Sequence, residues 1–279
     1  DPLPGGSCQP VPGGQGANQG AGLGRLGGTV RMAGRVGDDA FGRRYLDHFR
    51  QNGVDVRAVD AVAGTATGVA DILVNAAGEN CIVIAPGANG LCDLEWLDRA
   101  LEATADCEIF LLQLEIPLDT VAEAVRRLRK MGKTILLDPA PAVPLPEDVL
   151  SAVDFLTPNE TELKAVTAGL PEDAGIEERV RHLVGGSGRV VVHKRGADGA
   201  YIGTRDGIEH VPGFSVRAVD TTAAGDTFNA GLAAGLAMGW PLRDAVRLAN
   251  AAGALAVTAY GAQEGMPSLE QAQALMARG

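Results

Sequence analysis

The sequence predicts an α/β protein, with a mostly parallel central sheet flanked by helices on both faces and a small β-sheet lid. Three observations carry that expectation. From Asp93 onward, short apolar runs of strand length alternate with stretches of helical periodicity, the rhythm of units whose strands lie parallel. Between Val54 and Asn89 the period is two, and two such runs meet at AAGEN, a hairpin signature with no helix between them. The third is DTTAAGDTFNAG, Asp220 to Gly231. An extended run, FSVRAVD, ends at Asp220, small residues follow, and a helical pattern begins, so strand, tight turn and helix N-terminus are expected in succession.

Taken in order, VPGGQGANQGAGLGRLGG opens as a glycine-rich loop and turns helical from Ala17, leaving Gly13, Gly14 and Gly16 where loop enters helix. Such a cluster is either a turn or a place where backbone approaches a ligand, to which Gln15 and Asn18 can offer hydrogen bonds. VRMAGRVG reads as a strand, and DDAFGRRYLDHFRQNG as a helix started by Asp38 or Asp39 and stopped by Gly53. The period-two runs that follow suit an accessory sheet over the mouth of the main domain, the alternative being an antiparallel edge to the main sheet. LEWLDRALEA is then helical, CEIFLLQLE a strand, LDTVAEAVRRLRKMG an amphipathic helix and KTILLDPAPA a strand ended by prolines. AVDFLTPN reads as a strand and ETELKAVTAG as a helix with an acidic first turn. EERVRHLVGG is a helix, GRVVVHKRGADGAYIG a strand, GIEHVPGF hairpin-like, and LRDAVRLANAAGALAVTAYGA the last long helix. The main domain is thus expected over 17–53 and 87–279, and the discontinuous lid over 1–16 and 54–86.

Length and charge narrow the classes. A chain of 279 residues buries a large core, as one main domain with at most a small appendage. Its formal charge of -11 offers no global positive field for nucleic acid or an anionic membrane, so a phosphate-bearing ligand has to be held by local geometry. No apolar run reaches membrane-spanning length. Cys8, Cys81, Cys92 and Cys107 form no CxxC pair, which fits a reduced cytoplasmic compartment better than a zinc site or disulfide framework. The chain opens in a Pro/Gly-rich loop where an α/β protein usually opens on a buried strand, so further residues are expected ahead of Asp1.

The polar residues that follow the strands are the candidate site. Glu115 follows FLLQL, Asp138 follows TILL, Asn159 to Glu162 follow DFLTP, Lys194 to Gly196 follow VVVH, and Asp220 to Asp226 precede the helix. In a parallel sheet these ends gather at one rim, where ligands bind. The first N–H groups of a helix lack internal partners, and the small Ala223, Ala224 and Gly225 let an anion approach them. An acidic residue there repels a resting phosphate, so Asp226 is either an ordinary cap or a group that handles a proton beside the anion. Anion hole, carboxylate and further acidic and amide groups suit phosphoryl transfer to a neutral hydroxyl. NETE is either a helix start or a Mg²⁺ anchor acting through water. Neither a Walker A sequence nor DFG and HRD signatures occur, and GxSxG and HExxH are absent. His193, ending an apolar strand, reads as a packed residue.

Together these residues resemble the ribokinase (PfkB) family of sugar kinases over essentially the whole chain. The carriers are DTTAAGDTFNAG (220–231) and GGQGANQ (13–19), with GENCIVIAPGAN (78–89), QLE (113–115), DPAPA (138–142), TPNETE (157–162) and VPGFSVRAVDT (211–221) between them. Within the family these look more like the ribokinase branch than the adenosine kinase or fructokinase branches. The resemblance implies ATP-dependent phosphorylation of D-ribose at its 5-hydroxyl, with a nucleoside or another sugar as alternative acceptor; the other alternative is a sugar- or nucleotide-binding regulator that has lost catalysis. It implies Asp226 as base and Ala223, Ala224 and Gly225 as anion hole, with Gly14, Gln15, Asn18 and Glu115 toward the sugar. Asn159 and Glu162 match the pair tied to Mg²⁺ and phosphate. Lys194 and Gly196 match nucleotide-phosphate contacts, and Asn250 lies in the helix flanking the adenine. Asp220, with carbonyls of Thr222, Ala256, Ala259 and Gly261, matches a monovalent cation site, usually for K⁺, and the lid matches a homodimer interface. Departures are Gln15 in place of a Lys, Gly265 in place of a Ser at the cation site, a short SCQPV lid segment, and no strand bearing an Asn-x-Asp sugar clamp.

Overall fold

The computed structural model describes residues 10–74, 80–185 and 188–278. The opening loop through Gln9, with Cys8 and most of SCQPV, and most of the AAGEN turn lie outside them. Helix α1 (Gln15–Arg25) leads to strand β1 (Val30–Gly37), helix α2 (Ala40–Gln51) and strand β2 (Val54–Val62). Asp39 caps α2, its carboxylate accepting from the Gly42 N–H at 2.7 Å, and Gly53 takes the left-handed turn after it, at φ 73°. Strands β3 (Val69–Val74) and β4 (Asn80–Ala85) pair antiparallel, the expected hairpin. β2 does not join them. It pairs in parallel with β1 from Val30 opposite Val54 to Gly37 opposite Val62, which corrects the assignment of 54–62 to the lid. Period two reports a half-buried strand but not its partner, and α2 supplies the crossover that a parallel pair needs.

The rest of the chain runs α3 (Leu94–Ala103), β5 (Ile109–Leu112), α4 (Leu118–Lys130), β6 (Thr134–Leu137), α5 (Glu147–Leu150), β7 (Phe155–Leu156), α6 (Glu160–Val166) and α7 (Ile176–Val184). It continues with β8 (Val190–Lys194), β9 (Ala200–Thr204), β10 (Gly207–Val211), α8 (Ala224–Ala237), α9 (Leu242–Ala256) and α10 (Leu269–Met276). The six-stranded sheet has the order β10-β9-β8-β7-β6-β5, parallel from β5 to β8 and antiparallel from β8 to β10. Three expectations change here. GRVVVHKRGADGAYIG is two antiparallel strands, because the chain reverses between Gly196 and Gly199, both at positive φ. FSVRAVD forms no strand; the N–H groups of Val219 and Asp220 donate to the Val257 carbonyl beyond α9 instead of to a ladder. Helix α10 was not expected, although its Ser268/Gln271 capping box is visible in the sequence.

Alternation along the strands builds both faces. Ile135, Leu137 and Val191 pack with Leu128, Leu163 and Leu183, on the side of α4, α6 and α7. Leu136 and Val192 point the other way, to Phe228, Leu232 and Val246 on α8 and α9. Those two helices meet almost backbone to backbone. A Cβ at Gly231 would lie 2.8 Å from Ala249 Cα, and one at Gly235 2.7 Å from Ala245 Cα. Gly231→Val is therefore expected to cost about 3 kcal/mol by forcing α8 off α9. A urea midpoint equal to the parent's would contradict this packing account.

Among the described residues, β1 and β5 each leave one edge unpaired. A cavity of about 2470 Å³ lies between them, reaching α1, α3, α4 and α8 and opening toward Gly14, Asn18 and Glu115. Ile109–Leu112, wholly apolar yet only half buried, face it. Among the described residues, no helix is long and apolar enough to cross a membrane.

Candidate active site

The parallel registers of β5 to β8 bring their C-terminal ends to one rim, as the sequence predicts. There the structure assembles Glu115, Asp138, Glu162 and Lys194, with the N-termini of α1 and α8 leaning over them. The turn into α8 is built on Ala223, the one non-glycine among the described residues in the left-handed region, at φ 58°. An alanine held there marks local strain of the kind that concentrates at functional sites. It directs the first N–H groups of α8 outward. The Ala224 N–H donates to the Thr221 carbonyl at 3.3 Å, Gly225 adds no side chain over the next ones, and a Cβ added to it would lie 3.6 Å from Lys194 Nζ. The candidate anion hole therefore has an ammonium beside it.

Asp226 is the third residue of α8, in its first turn, and the cap position itself is held by Ala223. Asp226 is 8% exposed, and α1 holds both its oxygens. Asn18 Nδ2 donates to Oδ2 at 2.9 Å and Gln19 Nε2 to Oδ1 at 3.1 Å. Burial pushes its pKa up to about 7, with the nearby Asp138 charge adding to the effect while the Asn18 and Gln19 amides and Lys194 oppose it. A carboxyl poised there suits proton transfer at neutral pH.

Lys194 Nζ donates to Asp138 Oδ1 at 2.7 Å and lies 3.6 Å from Glu162 Oε2, with the Lys194 and Asp138 side chains 10% and 3% exposed. Burial alone favours the neutral amine, but Asp138 and Glu162 outweigh it and raise the Lys194 pKa. Glu162 is itself raised, by burial first and despite Lys194. NETE proves to be a capping box: Asn159 Oδ1 accepts from the Glu162 N–H, and Glu162 accepts from the Asn159 N–H at 2.7 Å and from its Nδ2 at 2.6 Å. This leaves two side chains and no cluster of three metal-binding groups among the described residues, so a Mg²⁺ there would take its remaining ligands from water and phosphate. Asn159, Lys194 and Gly196 share a groove of about 350 Å³ with Glu160, Thr161 and Arg195, the size and polarity of a place for phosphates.

Toward the large cavity, Gly14 precedes α1 at φ 90°, and Glu115 Oε2 accepts from the Gln15 N–H at 2.8 Å. Burial raises the Glu115 pKa. The Gln15 amide oxygen is shielded from solvent without a partner, an acceptor available to a ligand hydroxyl. Tyr45, which no motif singles out, fixes the loop through its hydroxyl's hydrogen bonds with Gly13. Asn250 is buried, and its amide donates to the Val211 and Pro212 carbonyls at 3.0 and 3.1 Å. Asp220 accepts from the N–H and hydroxyl of Thr222 and from the Gly261 N–H. Burial pushes its pKa up, but these donors prevail and lower it. Ala256 closes α9 with its carbonyl against Gly265, where a Cβ would lie 2.2 Å from that oxygen, so the chain here accepts no serine. His193 is fully buried with Nδ1 3.1 Å from the Pro158 carbonyl, a packed residue as read.

Comparison with known proteins agrees with this geometry. The family model described as pfkB family carbohydrate kinase matches residues 4–269. Ribokinase of Schizosaccharomyces pombe is 37% identical over 266 residues, 92% of this chain and 84% of that protein. Deoxyribokinase of Salmonella typhi is 38% identical over 262 residues, covering 93% and 85%. The structure of Arabidopsis thaliana ribokinase complexed with ribose and ATP superposes with a TM-score of 0.87 at 29% identity, over 99% of this chain and 91% of that one. The cleft rim, the α8 N-terminus and the whole-length match together make this chain a phosphotransferase acting on an alcohol group, a member of the pfkB family of carbohydrate kinases.

Proposed function

We propose that the chain transfers the γ-phosphoryl group of ATP to the 5-hydroxyl of D-ribose, giving D-ribose 5-phosphate and ADP. The observation that carries this reading is Asp226, buried, amide-clamped and poised near neutrality, one residue from the uncovered N–H groups of α8. Asp226 takes the proton from O5 as that oxygen bonds to the γ-phosphorus, while the bond to the β–γ bridging oxygen breaks and its electrons leave with ADP. The N–H groups of Ala223 to Asp226, with Lys194 beside them, stabilise charge on the phosphoryl oxygens. Asn159, Lys194 and Gly196 hold the nucleotide phosphates, and Asn250 shapes the wall near the base. Asn159 and Glu162 hold Mg²⁺ through water; when bound, it neutralises charge across the transferred and leaving phosphates.

Gly14, Gln15, Asn18 and Glu115 orient the sugar. Asp220, with carbonyls of Thr222, Ala256, Ala259 and Gly261, would hold a K⁺ ion, which would supply positive charge to the site. The β3–β4 hairpin exposes Ile72, Leu73, Val83 and Ile84, a surface suited to a lid-to-lid homodimer. This reading places the enzyme in the cytoplasm, with its sugar and ATP.

A second acceptor is favoured by specific observations. Gln15 brings an amide where the resemblance expects a charge, and one relative at 38% identity is a deoxyribokinase. Initial rates of ADP release over a panel of ribose, 2-deoxyribose, fructose and nucleosides test the choice. Ribose is expected to give the highest kcat/KM; a nucleoside or 2-deoxyribose at the head of the panel would overturn it.

A further inference from the structure

Gln19 lies one residue past the candidate sugar contact Asn18 and is 1% exposed, yet each polar atom of its side chain is engaged. Its Nε2 has two hydrogens. One goes to Asp226 Oδ1 at 3.1 Å and the other to Asp138 Oδ2 at 3.0 Å. Its Oε1 accepts from Gln113 Nε2 at 2.6 Å. The order of these partners fixes the amide, since a flipped group would set its oxygen against two carboxylates and its NH₂ against another NH₂. The second oxygen of Asp226 is held differently. Asn18 accepts in turn from Gln263 at 3.0 Å, but Asn18 borders the open cavity and is positioned to exchange its bond for a substrate hydroxyl. Gln19 lines the same cavity, but at 1% exposure its amide is wholly engaged by Asp226, Asp138 and Gln113.

We propose that Gln19 is the positioning residue that fixes the Asp226 carboxylate for proton transfer, bridging it to Asp138 while Gln113 sets which way the bridge faces. The inference rests on the reading of Asp226 as the base. Asp138 is anchored from its other side by Lys194, so the bridge joins the base on α8 to the ammonium beside the anion hole through two buried groups, Gln19 and Asp138, and three hydrogen bonds. Rotation of the carboxylate would break the Gln19 bond first and leave buried donors unpaired, a cost that keeps the base aligned.

Gln19→Met keeps length and burial and removes all three hydrogen bonds. The expected result is a fall in kcat of about tenfold or more, with KM for sugar and ATP within about twofold, because the loss is in alignment and not in binding. Removing a donor that favours the carboxylate also moves the acid limb of the kcat profile to higher pH. The charged groups around Asp226 that persist in the variant are Asp138 at the end of β6 and Lys194 at the end of β8, with Glu162 and Glu115 behind them. The same upward shift is expected for the Asp226 carboxyl carbon, followed by ¹³C NMR on ligand-free protein. That titration needs no substrate. An unmoved Asp226 titration, or a kcat loss that merely tracks a reduced folded fraction, would overturn the role of Gln19. Absence of transfer to any acceptor in the parent chain would instead overturn the kinase reading. If Gln19→Met does not fold, Gln113→Leu frees the Gln19 amide to turn, and a smaller shift in the same direction is expected; unchanged kcat and titration there would count equally against the bridge.

Discussion

Asp226→Asn is expected to lose about three orders of magnitude in turnover while becoming more stable than the parent above pH 7. The loss follows from removing the group that accepts the hydroxyl proton, an effect of roughly 10²–10⁴-fold for a positioned base, with sugar binding little changed because the amide keeps the shape. The gain follows from burial. The Asp226 carboxyl ionises near pH 7 in the folded chain and near its ordinary value of 3.8 when unfolded. Between those values the folded state holds one more proton, so the parent's stability falls as pH rises from about 4 to about 7 and stays at the lower level above. The amide variant escapes that decline. A shift of this size corresponds to at most about 4 kcal/mol, and about 2 is the expected net gain, because the new NH₂ meets one of the two donors, Asn18 or Gln19, while the remaining oxygen accepts from the other. Thermal unfolding at pH 5 and pH 8 checks the sign: the variant's advantage should widen at pH 8. An advantage that is equal at both pH values would show that Asp226 is not strained by ionisation.

Gly225→Val carries the second large effect. The position is helical, and a Cβ there meets only the tip of Lys194 at 3.6 Å, so the fold should tolerate the change at a cost below about 1 kcal/mol. The branched side chain would stand over the first N–H groups of α8, where the phosphoryl oxygens have to come. Turnover is expected to fall by about 10²–10³, the scale for losing donors to a developing anion. The expected signature is near-parent thermal stability with the loss in kcat/KM for ATP. Turnover close to the parent's would move the anion site away from α8.

Much of this site is legible in the sequence because it is local. Asp226, Gly225 and the small residues before them sit within one turn, and the polar residues closing β5 to β8 can be counted off once the strands are known. What needs a third dimension is less legible. The link from Gln19 to Asp226 and Asp138 depends on how α1 packs against α8. Gly22 permits that packing, since a Cβ there would lie 3.0 Å from Ala230 Cβ, but its spacing names no partner. Val54–Val62 was misplaced for the same reason, since alternation gives a strand its faces and not its neighbour. FSVRAVD has strand composition, yet its backbone finds a partner at Val257 outside any sheet. The NETE segment is a helix start, and its capping box also puts a buried carboxylate beside Lys194, a link that its sequence does not show.

The central claim is that Asp226 and the N-terminus of α8 act together on a sugar hydroxyl. A crystal structure with D-ribose and a non-hydrolysable ATP analogue tests it most directly. The account predicts O5 within about 2.6–3.2 Å of an Asp226 oxygen, Asn18 turned toward the sugar, Gln19 still bridging Asp226 and Asp138, and the γ-phosphate on the N–H groups around Gly225. A sugar bound with no hydroxyl in reach of Asp226, or a γ-phosphate held away from α8, would contradict it.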